Sequence, residues 1–194
     1  MTTLRKIIVS TLVTSDGIVE DPGGMTGFEH GGWANRYFNE EVGKRSLERL
    51  QSCDYFLCGG HTYEMFSKAW PNATGPYADR LNAIPKLVAS TTLAEPLTWN
   101  ASLLKGDAIG ALKKIKEEDG QDILMYGSVT LMRSLLREGL VDQLDLMVCP
   151  VVLGTGQRLF GEGGPVVELE LAGTAHLDTG IAILSYRPQR PATS

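Results

Sequence analysis

Leu124-Met125-Tyr126-Gly127-Ser128-Val129-Thr130 is an apolar run that breaks on a glycine and a serine and then turns helical. The same grammar recurs in Phe56-Leu57-Cys58-Gly59-Gly60-His61-Thr62. Each reads as a strand delivering the chain into the first turn of a helix, where unpaired N–H groups and the positive end of the helix dipole converge. Glycine at such a corner lets an anionic group approach the backbone. Two such corners on neighbouring parallel strands frame a groove suited to a pyrophosphate, beyond the strands' C-terminal ends. The pattern alone leaves a plainer alternative open: strand-to-helix turns that need glycine for their own geometry.

The rest of the chain supplies the alternation such a sheet requires. Lys6 to Val13 is β-branched and reads as a buried first strand. Ser15 to Gly32 is punctuated by Asp-Gly, Pro-Gly-Gly and Gly-Gly, a loop long enough to be functional. Helical spacing of Phe38, Val42, Leu47 and Leu50 predicts a helix from Asn35 to Leu50 facing the core. Cys53 to Cys58 and Pro85 to Ser90 read as strands, with a short helix near Tyr63 to Ser67 between them and a short strand near Leu97 to Trp99 after them. Asp107 caps a helix carrying Ala108, Ala111, Leu112 and Ile115, which Gly120 ends. Asp122 to Tyr126 is a strand. Ser128 is placed to cap the next helix, which carries Leu131, Leu135 and Leu136 and stops at Gly139. Strands follow at Gln143 to Val152, Val166 to Ala175 and Gly180 to Tyr186, and the polar tail Arg187 to Pro191 is expected to fray.

This order, strands and helices alternating and then strands alone, predicts an α/β fold: a largely parallel sheet with helices on both faces, finished by an antiparallel hairpin. A length of 194 residues suits one domain, taken as 1–194. The 22 glycines exceed the usual share, as tight turns or backbone close to a ligand require.

Charge and motifs exclude several functions. Eighteen basic and 23 acidic residues give a net charge of −5. The densest basic group, Lys113, Lys114 and Lys116, runs straight into Glu117, Glu118 and Asp119, so no nucleic-acid stripe is expected. No apolar run approaches the ~20 residues of a membrane span, and Asp16 and Glu20 interrupt any signal-peptide core. Cys53, Cys58 and Cys149 are expected as buried free thiols in a reducing cytoplasm. Gly154-Thr155-Gly156-Gln157-Arg158-Leu159 lacks the third glycine of a dinucleotide fingerprint, and Glu162 stands where a phosphate loop needs lysine. His30, His61 and His176 lie far apart, so no metal is expected.

Met125-Tyr126-Gly127-Ser128, the phrase Leu140-Val141-Asp142-Gln143-Leu144-Asp145-Leu146 and the run Pro150 to Phe160 resemble the reductase domain of bacterial riboflavin biosynthesis, in the dihydrofolate reductase-like superfamily. The resemblance covers roughly Leu4 to Arg187. It implies a three-layer α/β/α sandwich with a mostly parallel mixed sheet, and an oxidoreductase drawing on NADPH. By the same resemblance, Gly59, His61 and Thr62 meet the phosphates, Ser90 and Thr91 meet the adenosine ribose and its 2′-phosphate, and Gly127, Ser128, Val129 and Thr130 meet the pyrophosphate. Relatives of this type pair, which implies a homodimer.

Two positions depart from the pattern. Gly60 stands where the family carries an arginine for the 2′-phosphate, which admits NADH, with His61 or Lys86 as replacement cations. Dihydrofolate reductases place a carboxylate five residues after a loop tryptophan. Counting from Trp33 reaches Phe38, which weighs against folate unless Asn39, Glu40 or Glu41 serves through a shifted register. The resemblance casts Asp16 in the catalytic position near the nicotinamide, where it or bound water supplies any proton; an everyday Asp-Gly turn is the alternative. It puts Trp33 and Phe38 at the substrate pocket and Arg158 at a substrate phosphate, against packing and surface roles. The implied reaction is hydride transfer to a small heterocycle, most like reduction of 5-amino-6-(5-phosphoribosylamino)uracil. A dihydrofolate or pterin reductase and a non-catalytic nucleotide or drug binder are the alternatives. No zinc deaminase signature accompanies it.

Overall fold

The computed structural model describes residues 4–189. Eight strands form one sheet in the order β4-β3-β2-β5-β1-β6-β8-β7. β1 (Ile7–Thr14), β2 (Cys53–Gly59), β3 (Lys86–Ala89), β4 (Ala101–Leu103), β5 (Asp122–Tyr126) and β6 (Gln143–Cys149) run parallel. β7 (Leu169–His176) and β8 (Ala182–Pro188) close the sheet as an antiparallel hairpin, with β8 against β6.

Period-two alternation sorts the core into two layers. Ile7, Val9, Leu57, Ile123 and Met125 face α4 (Ala108–Glu117) and α5 (Val129–Arg137), where they meet Leu112, Met132 and Leu135. Ile8, Phe56, Cys58, Val88 and Leu124 face the other way. They pack on Leu50 of α1 (Glu40–Gln51), Tyr63 of α2 (Gly60–Ala69) and Leu81 of α3 (Pro76–Ala83). β1 sits between β5 and β6 with both faces covered, which is why its sequence is nearly continuous in apolar residues. The chain therefore has the three-layer α/β/α arrangement expected of it. The three cysteines are buried and free, and among the described residues no helix is long and apolar enough to cross a membrane.

Several local expectations are corrected. The helix predicted from Asn35 is a 3-10 turn at Asn35–Tyr37 followed by α1, which begins after Asn39 because the Asn39 side chain caps it by accepting the Val42 N–H at 3.0 Å. Phe38 falls between the two and is 48% exposed, so it is not a core residue. The short strand lies at Ala101–Leu103 rather than Leu97 to Trp99, since Trp99 and Asn100 take left-handed φ of 60° and 51°. α3 was not foreseen; it follows Gly75 at φ 112° and starts on Pro76. β6 stops at Cys149 because Pro150 has no N–H to continue a ladder. Arg187 and Pro188 do not fray but belong to β8, opposite Glu170 and Leu169; Arg190 and Pro191 lie outside the described residues.

Candidate functional site

β2 and β5 are neighbours, with Phe56 paired to Leu124 and Leu57 to Met125. Their C-terminal ends therefore launch α2 and α5 side by side. The Gly59 N–H donates to Ser128 Oγ at 2.8 Å, and Ser128 Oγ donates to Thr62 Oγ1 at 2.7 Å. Ser128 does not cap its own helix as expected: its left-handed φ of 56° turns the hydroxyl toward the other corner. Neither α2 nor α5 has a side-chain cap, so the first-turn N–H groups of His61, Thr62, Val129 and Thr130 carry no side-chain partner. Gly59 itself has spent its N–H on Ser128, so what it offers an anion is close approach rather than a donor.

Glycine is required here by space. A Cβ on Gly60 would stand 2.8 Å from Ser90 Oγ, and one on Gly59 would stand 3.3 Å from Ser128 Oγ. Gly127 takes φ 61°, and nothing lies within 4 Å of the point where its Cβ would project. Ser90, at the end of β3, accepts the N–H groups of Thr92 at 3.2 Å and Leu93 at 3.1 Å, with Thr91 exposed beside it. Three strand ends thus come together beside two uncapped helix N-termini, an arrangement of donors suited to a diphosphate. His61 is exposed at this rim. Lys86 is not available to it: it is 1% exposed, donates to the Asn82 carbonyl at 2.7 Å and lies 4.2 Å from the centre of the Trp99 ring.

The loop after β1 is built on two carboxylates. Asp16 accepts from Thr14 Oγ1 at 2.5 Å, from Leu153 N–H at 3.3 Å and from Gly154 N–H at 2.7 Å. The Thr14 hydroxyl, with the Gly154 and Leu153 amides, holds its carboxyl below the usual range despite partial desolvation. Asp16 is therefore an acceptor that ties the loop after β1 to the loop after β6, and is poorly suited to hold a proton. Arg158 donates to the Asp16 carbonyl at 3.0 Å from an exposed position. Asp21, 8% exposed, takes the N–H groups of Met25 at 2.5 Å and Thr26 at 3.0 Å; burial raises its pKa, and these bonds outweigh that and hold it below the usual range. Trp33 is 4% exposed and its Nε1 donates to the Glu20 carbonyl at 2.7 Å, which makes it a packing anchor of this loop rather than an open pocket wall.

A cavity of about 300 Å³ lies under α1, and none of its lining residues stood out as a candidate in the sequence. Its floor is one transverse row across four strands: Tyr126 pairs with Ser10, Ser10 with Asp145, and Asp145 with Ser185. Arg45, Glu48 and Arg49 of α1 form the roof. Asp145 is 5% exposed and bonded to Arg49 Nη2 at 3.0 Å and Gln143 Nε2 at 2.8 Å. Tyr126 immediately precedes Gly127, so the cavity adjoins the glycine corner of β5. The missed signal was polar residues at buried strand positions, Ser10 after Ile-Ile-Val and Asp145 between Leu144 and Leu146.

The sequence profile of the RibD C-terminal domain matches residues 5–183. The chain is 26% identical over 187 residues to the uncharacterized protein YyaP of Bacillus subtilis, covering 94% of each. It is 25% identical over 179 residues to YwjB of the same organism, covering 92% of this chain and 96% of that protein. Among solved structures, it superposes on a protein of Shewanella sp. PV-4 provisionally assigned to riboflavin biosynthesis, with a TM-score of 0.71, 22% identity, and 95% and 99% of the two chains covered. It also superposes on a pyrimidine reductase-like protein of Corynebacterium diphtheriae, with a TM-score of 0.65, 13% identity, and 96% and 93% covered. The bifunctional diaminohydroxyphosphoribosylaminopyrimidine deaminase and 5-amino-6-(5-phosphoribosylamino)uracil reductase of Thermotoga maritima gives a TM-score of 0.65 at 12% identity, covering 96% of this chain and 57% of that one. At these identities the structural likenesses speak for the fold.

Proposed function

Because this chain belongs to the RibD C-terminal domain family, we propose that it is a pyridine-nucleotide-dependent reductase acting on a small heterocycle. The observation that carries the reading is the joined pair of corners, where Gly59, Ser128 and Thr62 hold two uncapped helix N-termini side by side at glycine-bearing strand ends. NADPH, when bound, supplies the hydride. First-turn N–H groups of α2 and α5 hold its diphosphate, and Ser90 and Thr91 face its adenosine end. Gly60 leaves no side chain for a 2′-phosphate, so NADH is admitted alongside NADPH, with the exposed His61 as the neighbouring polar side chain.

The substrate lies in the cavity under α1, with Tyr126 separating it from the corner. Positioning accounts for most of what the protein adds: a ring held over the dihydronicotinamide meets the hydride without the entropy of a free encounter. Asp16 fixes the two loops at the mouth and stays ionised, and the accompanying proton comes from water. The chemistry is of the kind that the Thermotoga neighbour's name gives, reduction of 5-amino-6-(5-phosphoribosylamino)uracil. The reading also includes a cytoplasmic homodimer.

The test has two stages. NADPH should raise the melting temperature of the purified chain and quench tryptophan fluorescence; no response to millimolar NADPH or NADH removes the reading. NADPH oxidation followed with pterin, pyrimidine and flavin acceptors then separates a reductase from a protein that binds without turnover.

A further inference from the structure

We propose that the cavity under α1 takes an unphosphorylated single-ring heterocycle whose N–H edge is bound by Asp145; this rests on the reading of that cavity as the substrate site. Size and charge both point this way. About 300 Å³ stands at the low end for small-molecule pockets, enough for one ring and a short substituent. The charged lining residues are two cations, Arg45 and Arg49, and two anions, Glu48 and Asp145, so the lining is neutral overall. Arg49 is already committed to Asp145 at 3.0 Å. A phosphate dianion needs a charge-assisted clamp, and here the two arginines are balanced by Glu48 and the buried Asp145 carboxylate. Arg158, the candidate for a phosphate, is tied to the Asp16 carbonyl and does not line the cavity.

The floor suits hydrogen-bond donors. Each carboxylate oxygen has about two acceptor positions, and Arg49 and Gln143 use one on each oxygen of Asp145. Its register partners on β1 and β8 are Ser10 and Ser185, which line the same cavity. Ser10, 8% exposed, and the half-buried Ser185 add two hydroxyls to this row. A buried carboxylate with spare acceptor positions, flanked by two hydroxyls, suits a ligand presenting adjacent N–H and C=O groups.

Calorimetry on the full chain with three probes tests this. Cytosine should bind at least tenfold more tightly than 1,3-dimethyluracil, a single pyrimidine ring with no N–H, and cytidine 5′-monophosphate should bind no better than cytosine. Asp145→Asn should weaken cytosine tenfold and leave dimethyluracil unchanged. Because Asp145→Asn also breaks an ion pair, Ser185→Ala, which keeps that pair, should weaken cytosine a few-fold with an unchanged melting temperature. Equal binding of cytosine and dimethyluracil, no binding of either, or a tenfold preference for the monophosphate overturns the proposal. An NADPH-induced melting shift is read separately: with that shift present and no cytosine preference, the proposal fails and the cofactor reading stands. Cytosine preference without any nucleotide shift has the opposite meaning.

Discussion

Gly59 gives its backbone N–H to Ser128 Oγ at 2.8 Å, and through that one hydroxyl the end of β2 is fastened to the start of α5. The residues are 69 positions apart in the chain. Their meeting turns two separate glycine corners into one site, because a serine in left-handed backbone geometry points away from its own helix. Thr62 completes the fastening from α2 at 2.7 Å.

Ser128→Ala should therefore act twice. It leaves the Gly59 N–H without its acceptor, a loss of about 1–3 kcal/mol where water cannot replace it, and it frees the two helix N-termini to separate. The expected result is a lower melting temperature without ligand and an NADPH affinity at least tenfold weaker, read by denaturation and by fluorescence titration. An unchanged affinity would show that the hydroxyl does not set the spacing of the corners.

Asp16 and Asp21 predict how the mouth of the site responds to acid. Both carboxyls are held below their ordinary value by hydrogen bonds to their charged forms. The folded pKa is thus below the unfolded one, so their stabilisation is present above the unfolded carboxylate pKa and is lost as pH falls through the folded value. Between pH 5 and pH 3, wild type should lose more stability than Asp21→Asn, which has no such proton to take up. At pH 7, Asp21→Asn should be the less stable protein, because its amide cannot accept from both Met25 and Thr26 as the carboxylate does. Urea unfolding at the two pH values measures both.

The fold was largely legible because its central strands are buried on both faces and carry their apolar runs openly, as Ile7, Ile8 and Val9 do in β1. The two glycine corners were legible for the same reason, each following such a run. What escaped was set by tertiary partners. α3 is eight residues long and is announced only by Gly75-Pro76, a pair that reads equally well as a turn. Of the two aromatics put at the substrate pocket, Trp33 takes the packing role that was its alternative, anchored by the Glu20 carbonyl, and Phe38 stays half exposed. Asp145 could not be chosen from its neighbours, since only the alignment of β1, β6 and β8 shows that it shares a row with Ser10 and Ser185.

Lys86 supplies a pH dependence of opposite origin. Desolvation by burial brings its ammonium down to about 8, only partly offset by Cys58. Because its folded pKa lies below its unfolded one, Lys86 binds more proton in the unfolded chain between pH 8 and about 10, and its own contribution to stability rises across that window. The buried Cys58 and Cys149 thiols, pushed up to about 12 and about 11, oppose it in wild type and variant alike. Lys86→Met removes the titration, so wild type should gain on the variant as pH is raised from 8 to 10 in chemical denaturation. Tyr77, pushed up to about 12 by burial, works the other way only above that window. A constant difference between the two proteins would show that the ammonium is not desolvated.

β7 leaves one side of the sheet unpaired, and it is an unusually bare edge. Its burial pattern is exposed at most positions, and Leu171 is 54% exposed although it lies on a strand. Unpaired N–H and C=O groups beside an apolar side chain invite pairing with another strand, and in the homodimer proposed above that strand comes from a second copy. Wild type should then elute in gel filtration at about twice its 21.1 kDa mass. Leu171→Lys adds a charge that an apolar interface must desolvate, and it should shift the protein to the monomer position with its melting temperature in the dilute limit unchanged. Wild type eluting as a monomer would remove the dimer. A variant that remains dimeric would move the interface away from β7.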